Sequence, residues 1–170
     1  MPTNYFDPTS ERDHRDKFTK YRRNFIICPE QWETLSELHT DMVWSEAKFE
    51  EASQSSIPQN EGLYMFVASS KKANASFLNY LFYVGETNNL RRRFGEYLAK
   101  THKPKSGQYK MYTIIDEFPS NLYFFFVSIP GISITDRKKI EEDFLVGFLP
   151  PINSKYPQQL QSIVLAAYGR

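Results

Sequence analysis

A change of hydrophobic period near residue 62 constrains the fold of this chain more than any other feature of its sequence. Residues 62–68 (GLYMFVA) and 77–85 (FLNYLFYVG) are short runs of aromatic and β-branched side chains with polar residues between them. Such runs predict the two strands of a β-hairpin with a long loop. Residues 121–129 (NLYFFFVSI) are apolar at successive positions, which predicts a third, central strand that is covered on both faces.

Helical periodicity and helix-start signals surround these strands. Helices are predicted over residues 29–43, 46–52, 88–100, 133–148 and 158–168, and a loop over residues 103–110 (KPKSGQYK). The pattern favours an α/β (α+β) fold with a small central antiparallel or mixed sheet of about three strands flanked by helices. The expected organisation is a helical N-terminal extension at 1–58, partly disordered at its start, a main domain at 59–155, and a helical tail at 156–170.

Cysteine usage and apolar content limit the class of protein. The single cysteine, Cys28, excludes an internal disulfide and a zinc site built on cysteines. Residues 1–17 lack the apolar region of a secretory signal, so a cytoplasmic protein is expected. No segment approaches the roughly 20 apolar residues that a membrane span requires, so no membrane partner is expected.

Positive charge is concentrated in one segment of a chain whose net charge is only +1. Residues 87–110 contain seven cations and one anion, a local charge of +6. A local positive patch of this kind is typical of a protein that binds a polyanion at one place. It is also typical of a solvated helix face, so the charge alone does not decide between them.

Glu141 is the most informative single residue. On the predicted helix it lies in the apolar stripe with Leu145 and Phe148, whereas Glu142 and Asp143 point away from that stripe. A carboxylate directed into a domain costs free energy unless a metal, a cation or hydrogen bonds compensate it. Glu141 is therefore either a ligand for a hard cation such as Mg²⁺ or a member of a buried ion pair.

Arg93 and Tyr97 lie one turn apart on one edge of the apolar stripe of the helix predicted at 88–100, while Arg92 points to solvent. An arginine in this position is suited to hold a phosphate through two hydrogen bonds. The alternative is a surface cation that stacks on a tyrosine.

These elements together resemble the motifs of the GIY-YIG endonucleases. The matching segments are 62–64 (GLY), 83–85 (YVG), 86–98 (ETNNLRRRFGEYL), and Glu141 followed by Pro150 and Asn153. The resemblance covers roughly residues 60–155, and its central run is most similar to the incision nuclease of bacterial nucleotide-excision repair. The chain departs from the family in its longer hairpin loop, in Tyr97 where many members have His, and in Glu86 where Lys, Gln or Ser is frequent.

The resemblance implies a DNA endonuclease that depends on Mg²⁺ or Mn²⁺. By that resemblance Glu141 would hold the metal and Arg93 would bind the scissile phosphate. Tyr64 is the first choice for the group that deprotonates or orients the attacking water. Because a phenol is a poor base at neutral pH, it would need help from Lys71 or Lys72 or from Tyr83.

The resemblance also implies supporting roles. Tyr97 would contact the phosphate, and Asn153 would order the site through its amide. The cations expected to bind flanking nucleic acid are Arg91, Arg92, Lys100, Lys103, Lys105 and Lys110.

The expected biological class is a freestanding restriction or defence nuclease. A DNA-repair or structure-specific nuclease of the same fold, and a nucleic-acid-binding module without catalysis, are the alternatives. A homodimer is expected if one small site is to cut both DNA strands.

Overall fold

The centre of the molecule is a four-stranded antiparallel sheet. The computed structural model describes residues 28–39, 41–71, 79–99 and 106–168, with the backbone alone described at residues 36, 106–109 and 167–168. The strands are β1 (Ser45–Lys48), β2 (Gly62–Ser69), β3 (Asn79–Thr87) and β4 (Leu122–Ser128), in the order β1-β4-β2-β3. The mixed α+β class is confirmed, and the sheet has four strands where about three were predicted.

Helices flank this sheet. They are α1 (Pro29–Leu38), α2 (Leu90–Leu98), α3 (Ser106–Glu117), α4 (Ile134–Phe148) and α5 (Gln161–Tyr168), with 3₁₀ helices at Glu51–Ser56 and Gln158–Leu160. Within the described ranges, none of the helices has the length and apolar character needed to cross a bilayer.

Alternate side chains of β2 divide the core into two layers, because successive strand residues point to opposite faces. Tyr64 and Phe66 pack in the layer that contains Phe94 of α2. Leu63 packs on the other face with Leu35 of α1 and side chains of α4. β4 lies between β1 and β2, which confirms the prediction of a central strand. Leu122, Phe124 and Phe126 are buried on one face, whereas Tyr123 and Phe125 on the other face are partly exposed.

Residues 45–48 form an edge strand, so the helix predicted over 46–52 is wrong. β1 pairs antiparallel with β4, from Ser45 opposite Phe126 to Lys48 opposite Tyr123. The free edge of β4 offers hydrogen-bonding partners that outweigh the local helix propensity of this short segment. Part of the predicted N-terminal extension therefore belongs to the sheet.

Two further boundaries differ from the prediction. α3 begins at Ser106, inside the segment predicted as a loop, because its Met111 and Ile114 are buried in the core. α1 ends at Leu38 rather than near residue 43, since His39 leaves the helical region at φ −125°. In both cases a distant packing partner decides where the helix lies.

The helices next to the cleft begin at capping residues. The Asn89 side chain accepts a hydrogen bond from the Arg92 amide at 2.8 Å at the start of α2. The Ser133 hydroxyl accepts one from the Asp136 amide at 3.1 Å, which confirms the predicted start of α4. α4 ends at a left-handed Leu149, φ 42°, and two prolines follow it.

Candidate active site

A cleft of about 830 Å³ opens where α2, α4 and the β2–β3 hairpin meet. Five of the six residues predicted to be catalytic line it, and they come from segments that are far apart in the sequence: Tyr64, Tyr83, Arg93, Tyr97 and Glu141. The sixth, Asn153, lies behind the cleft. The fold therefore brings the separate motifs to one concave surface.

Three tyrosines form one wall of the cleft. The hydroxyl oxygens of Tyr64 and Tyr97 are 3.2 Å apart. The ring of Tyr83 lies 5.9 Å from that of Tyr64 and 6.5 Å from that of Tyr97, measured between centroids. Tyr64 is almost fully buried, whereas Tyr83 and Tyr97 are partly exposed. The cleft is thus lined by a contiguous set of phenols.

Glycines leave room for this arrangement. Gly85 lies opposite Tyr64 in the β2–β3 register, and a Cβ atom there would be 2.6 Å from the Tyr64 hydroxyl oxygen. A Cβ atom at Gly62 would be 2.1 Å from the carbonyl oxygen of Val127. Both glycines permit close approaches within the sheet, and the one at 85 directly sets the position of the Tyr64 ring.

Burial makes the three phenols weak acids. Burial, with smaller contributions from Tyr83 and Tyr97, raises the pKa of Tyr64 well above its usual value, although Arg93 opposes this. Burial also raises the pKa of Tyr83 and of Tyr97. All three side chains are therefore neutral hydrogen-bonding groups at neutral pH, which disfavours the use of Tyr64 as a base.

Arg93 has a buried donor that no described residue satisfies. Its Nη1 donates to Oε2 of Glu96 at 2.9 Å, but its Nε is buried and has no hydrogen-bond partner among the described residues. Burial lowers the pKa of Arg93, but Tyr64, Tyr97 and Glu96 raise it more, so its net pKa is above the usual value. An unpaired buried N–H costs about 1–3 kcal/mol.

Glu141 lies in the cleft with an environment that resists its ionisation. Burial, and secondarily the charge of Glu86, raises the pKa of Glu141 to about 7, while Lys138 and Lys155 act in the opposite direction. A bound cation compensates a carboxylate of this kind, and Mg²⁺ is commonly held by one or two carboxylates together with substrate phosphates. The cleft contains such a carboxylate in Glu141. The residues present therefore fit a divalent cation, although no group of three or more metal-ligating side chains occurs within the described ranges.

Glu86 and Arg137 form an ion pair beside Glu141. The Arg137 Nε donates to Oε2 of Glu86 at 3.3 Å, and its Nη1 donates to the carbonyl of Ile132 at 2.7 Å. Arg137 is 5% exposed and lies one turn before Glu141 on α4. Arg137 and the cleft residues Lys138 and Lys155 were not predicted from the sequence. The signal for Arg137 was its spacing of four residues from Glu141.

Asn153 supports the cleft from behind. Its Oδ1 accepts a hydrogen bond from the Val84 amide at 3.0 Å, and its Nδ2 donates to the Val84 carbonyl at 2.7 Å. Asn153 is 4% exposed and does not line the cleft. Its amide therefore fastens the segment after α4 to β3, between the strand's Tyr83 and Gly85.

The predicted nucleic-acid-binding cations that the structure describes do not line the cleft. Arg91 donates to the carbonyls of Ile57 at 2.6 Å and Ser55 at 2.9 Å, so its guanidinium joins α2 to the preceding segment. Arg92 is exposed and pairs with Glu96, away from the cleft lining. Lys110 lies half-buried on α3, and Lys100, Lys103 and Lys105 fall outside the described residues.

Of the residues predicted to assist Tyr64 as a base, Lys71 lies outside the cleft lining. Lys71 forms an ion pair with Glu46 of β1, and its Nζ lies 4.4 Å from the centroid of the Tyr123 ring. Lys72 falls outside the described residues, so Tyr83 alone of the three predicted helpers is found beside Tyr64.

Comparisons with known proteins add no further assignment. No protein-family model matches the chain. No curated protein and no solved structure matches it significantly. The resemblance to GIY-YIG nucleases therefore rests on the motifs of this sequence alone.

Proposed function

We propose that this chain is an endonuclease of the GIY-YIG type that uses a divalent cation to hydrolyse phosphodiester bonds in DNA. The observation that carries the proposal is the meeting of Tyr64, Arg93 and Glu141, predicted from separate motifs, in one cleft. Core packing accounts for buried apolar side chains. It does not account for a carboxyl with a raised pKa and an arginine with an unpaired donor in the same concavity.

The cleft residues divide into those suited to a cation and those suited to a phosphate. Glu141 would hold Mg²⁺ or Mn²⁺. When bound, the cation would supply positive charge that neutralises a phosphate oxygen and the leaving oxygen. Arg93, whose side chain lines the cleft and is 28% exposed, would donate from its guanidinium to a non-bridging oxygen of the scissile phosphate. The neutral hydroxyls of Tyr83 and Tyr97 would donate to the same phosphate.

Two lysines at the mouth of the cleft extend this surface. Lys138 and Lys155 are exposed, line the cleft and lie near enough to Glu141 to influence its ionisation. We assign them to the phosphates that flank the scissile one, since exposed lysines bind the DNA backbone without reading sequence. They take the place that the cations of residues 91–110 were expected to fill.

For the biological role, we propose a restriction or defence nuclease that acts as a homodimer when both strands are cut. Sequencing the ends of the product separates this role from repair. Cuts at one defined site support restriction, and nicks that follow DNA structure rather than sequence contradict it.

Incubation of several supercoiled plasmids with protein and Mg²⁺ tests the proposed activity. Wild type is expected to nick or linearise plasmid. Glu141→Ala is expected to abolish cutting while it still shifts plasmid on a gel in Ca²⁺. Glu142→Ala, which removes an exposed carboxylate from the next position on α4, serves as the matched control. Plasmids that are shifted but left intact in both Mg²⁺ and Mn²⁺ would instead identify a binding module.

A further inference from the structure

Glu86 is one of three carboxylates that line the cleft, with Glu141 and Glu142, and packing does not explain its position. Its side chain is 18% exposed and lines the same concavity as Arg93 and Glu141. Its Oε2 accepts a hydrogen bond from Arg137, but no described residue donates to its Oε1. One oxygen is thus held by the protein, and the other is left as an acceptor in the cleft.

The other groups of the cleft do not fill the role of a proton acceptor. The phenols of Tyr64, Tyr83 and Tyr97 are neutral donors, because burial raises the pKa of each. Lys138 and Lys155 are exposed cations, and Glu141 is assigned to the cation site. Glu142 lines the cleft as an exposed carboxylate that no described residue holds in place. Hydrolysis still requires a group with a lone pair to take a proton from the attacking water.

We propose that Glu86 accepts the proton of the attacking water and that Arg137 is the positioning residue that holds the Glu86 carboxylate in place. This inference rests on the proposed nuclease function. Arg137 suits the positioning role because it is buried, its Nη1 is tied to the carbonyl of Ile132, and its Nε contacts the carboxylate. The ion pair also compensates the charge of a half-buried carboxylate.

The step balances without any redox partner. Oε1 of Glu86 takes one proton from water as the water oxygen forms its bond to phosphorus. The bond from phosphorus to the leaving sugar oxygen breaks, and that oxygen keeps the electron pair and takes a proton from solvent. Glu86 then returns its proton to solvent, so the products are a phosphomonoester and a sugar hydroxyl. Arg93 stabilises the negative charge on the non-bridging oxygens throughout.

Glu86→Gln is the primary test, because it keeps the shape of the side chain and removes its basicity. The cutting rate is expected to fall at least about 10²-fold, the usual contribution of a general base. Binding of DNA in Ca²⁺ and binding of Mn²⁺, measured by calorimetry without DNA, are expected to be unchanged. Glu141→Gln should lose Mn²⁺ binding. Glu51→Gln, which changes an exposed carboxylate outside the cleft lining, controls for the change in net charge.

Chemical rescue provides a second, independent measurement. Glu86→Ala leaves space for a small carboxylate, so added formate is expected to restore part of the cutting rate. Formate should not restore Glu141→Ala. A rate that formate leaves unchanged, in a Glu86→Ala protein that still binds DNA, contradicts the proposal.

A double-mutant cycle tests the role of Arg137. Arg137→Lys keeps the charge but not the Nε contact, and it should slow cutting while Mn²⁺ binding persists. In a double variant with Glu86→Gln, Arg137→Lys should cause no further loss of cutting rate, because both substitutions disable the same proton acceptor. Losses that add would mean that Arg137 acts only through stability.

Two results would contradict the assignment of Glu86 as the proton acceptor and would leave the nuclease proposal unaffected. One is a Glu86→Gln protein that cuts like wild type. The other is a Glu86→Gln protein that loses Mn²⁺ affinity as Glu141→Gln does, which would make Glu86 a metal ligand. A wild-type protein that binds DNA and cuts nothing would remove both proposals together.

Discussion

The side-chain amide of Asn153 pairs with both backbone groups of Val84, accepting from its N–H at 3.0 Å and donating to its C=O at 2.7 Å. Asn153→Ala should lower the free energy of unfolding by about 2–3 kcal/mol, since buried polar groups of β3 lose their partners. Urea denaturation followed by circular dichroism measures the change. Asn79→Ala, which removes an exposed amide at the start of the same strand, should have little effect. An equal loss in the two variants would contradict the role of Asn153.

The raised pKa of Glu141 predicts a pH-dependent stability. Its pKa is about 7 in the folded protein against an ordinary value of 4.5. The folded state therefore holds this proton more tightly, and stability falls as pH rises from about 4.5 to about 7. Glu141→Gln removes the penalty. The free energy of unfolding of Glu141→Gln, taken relative to wild type, should be about 2 kcal/mol higher at pH 8 than at pH 4.5. This value is reduced to allow for the partial exposure of the side chain.

Urea denaturation of both proteins at the two pH values, without divalent cations, measures this difference. Glu142→Gln on the same helix is exposed and should show no such gain. Added Mg²⁺ should stabilise wild type at pH 8 and leave Glu141→Gln unchanged, because binding to the folded state alone raises stability. A pH-independent difference between wild type and Glu141→Gln would show that Glu141 ionises normally.

The contact between Gly85 and Tyr64 predicts that a single methyl group will disturb the cleft. In Gly85→Ala the new Cβ would lie 2.6 Å from the Tyr64 hydroxyl oxygen, so the ring must move. A loss of about 1–3 kcal/mol in stability is expected from this overpacking, together with slower cutting. Gly95→Ala is the matched control, because its Cβ meets only the end of the flexible Gln54 side chain. That variant should be neutral or gain up to about 1 kcal/mol from helix propensity.

The unpaired Nε of Arg93 predicts that a lysine cannot replace it. Arg93→Lys keeps the positive charge but loses the planar donor pair, so cutting should slow about 10²–10³-fold. The protein should remain folded and bind DNA in Ca²⁺. Arg92→Lys, at an exposed neighbouring position outside the cleft, should retain the activity. Similar losses in the two variants, measured by plasmid cleavage, would point to general charge rather than to phosphate recognition.

Local sequence patterns do not predict all of the cations that face the cleft. Residues 87–110 are strongly positive, yet the Arg91 guanidinium donates its hydrogen bonds to the carbonyls of Ile57 and Ser55. Helical phase and motif distance single out Arg93, which lines the cleft, but they do not predict the partners of Arg91. Lys155 carries no periodic signal, because it lies outside regular secondary structure and reaches the cleft only through the turn after α4. Charge in a sequence locates cations along the chain, whereas burial and partners decide which of them face a ligand.

The sequence by itself determined the elements whose evidence is local. The β2–β3 hairpin, the capped starts of α2 and α4, and the carboxylate of Glu141 on an apolar helix face follow from short-range spacing and sterics. Only the tertiary structure decided that residues 45–48 are a strand and that α3 is a helix, because a free edge of β4 and an open core layer supply the stabilising contacts. The pairing of Glu86 with Arg137 is likewise decided only by the tertiary structure. It joins residues 51 positions apart, and a contact at that separation depends on how β3 and α4 pack rather than on either segment alone.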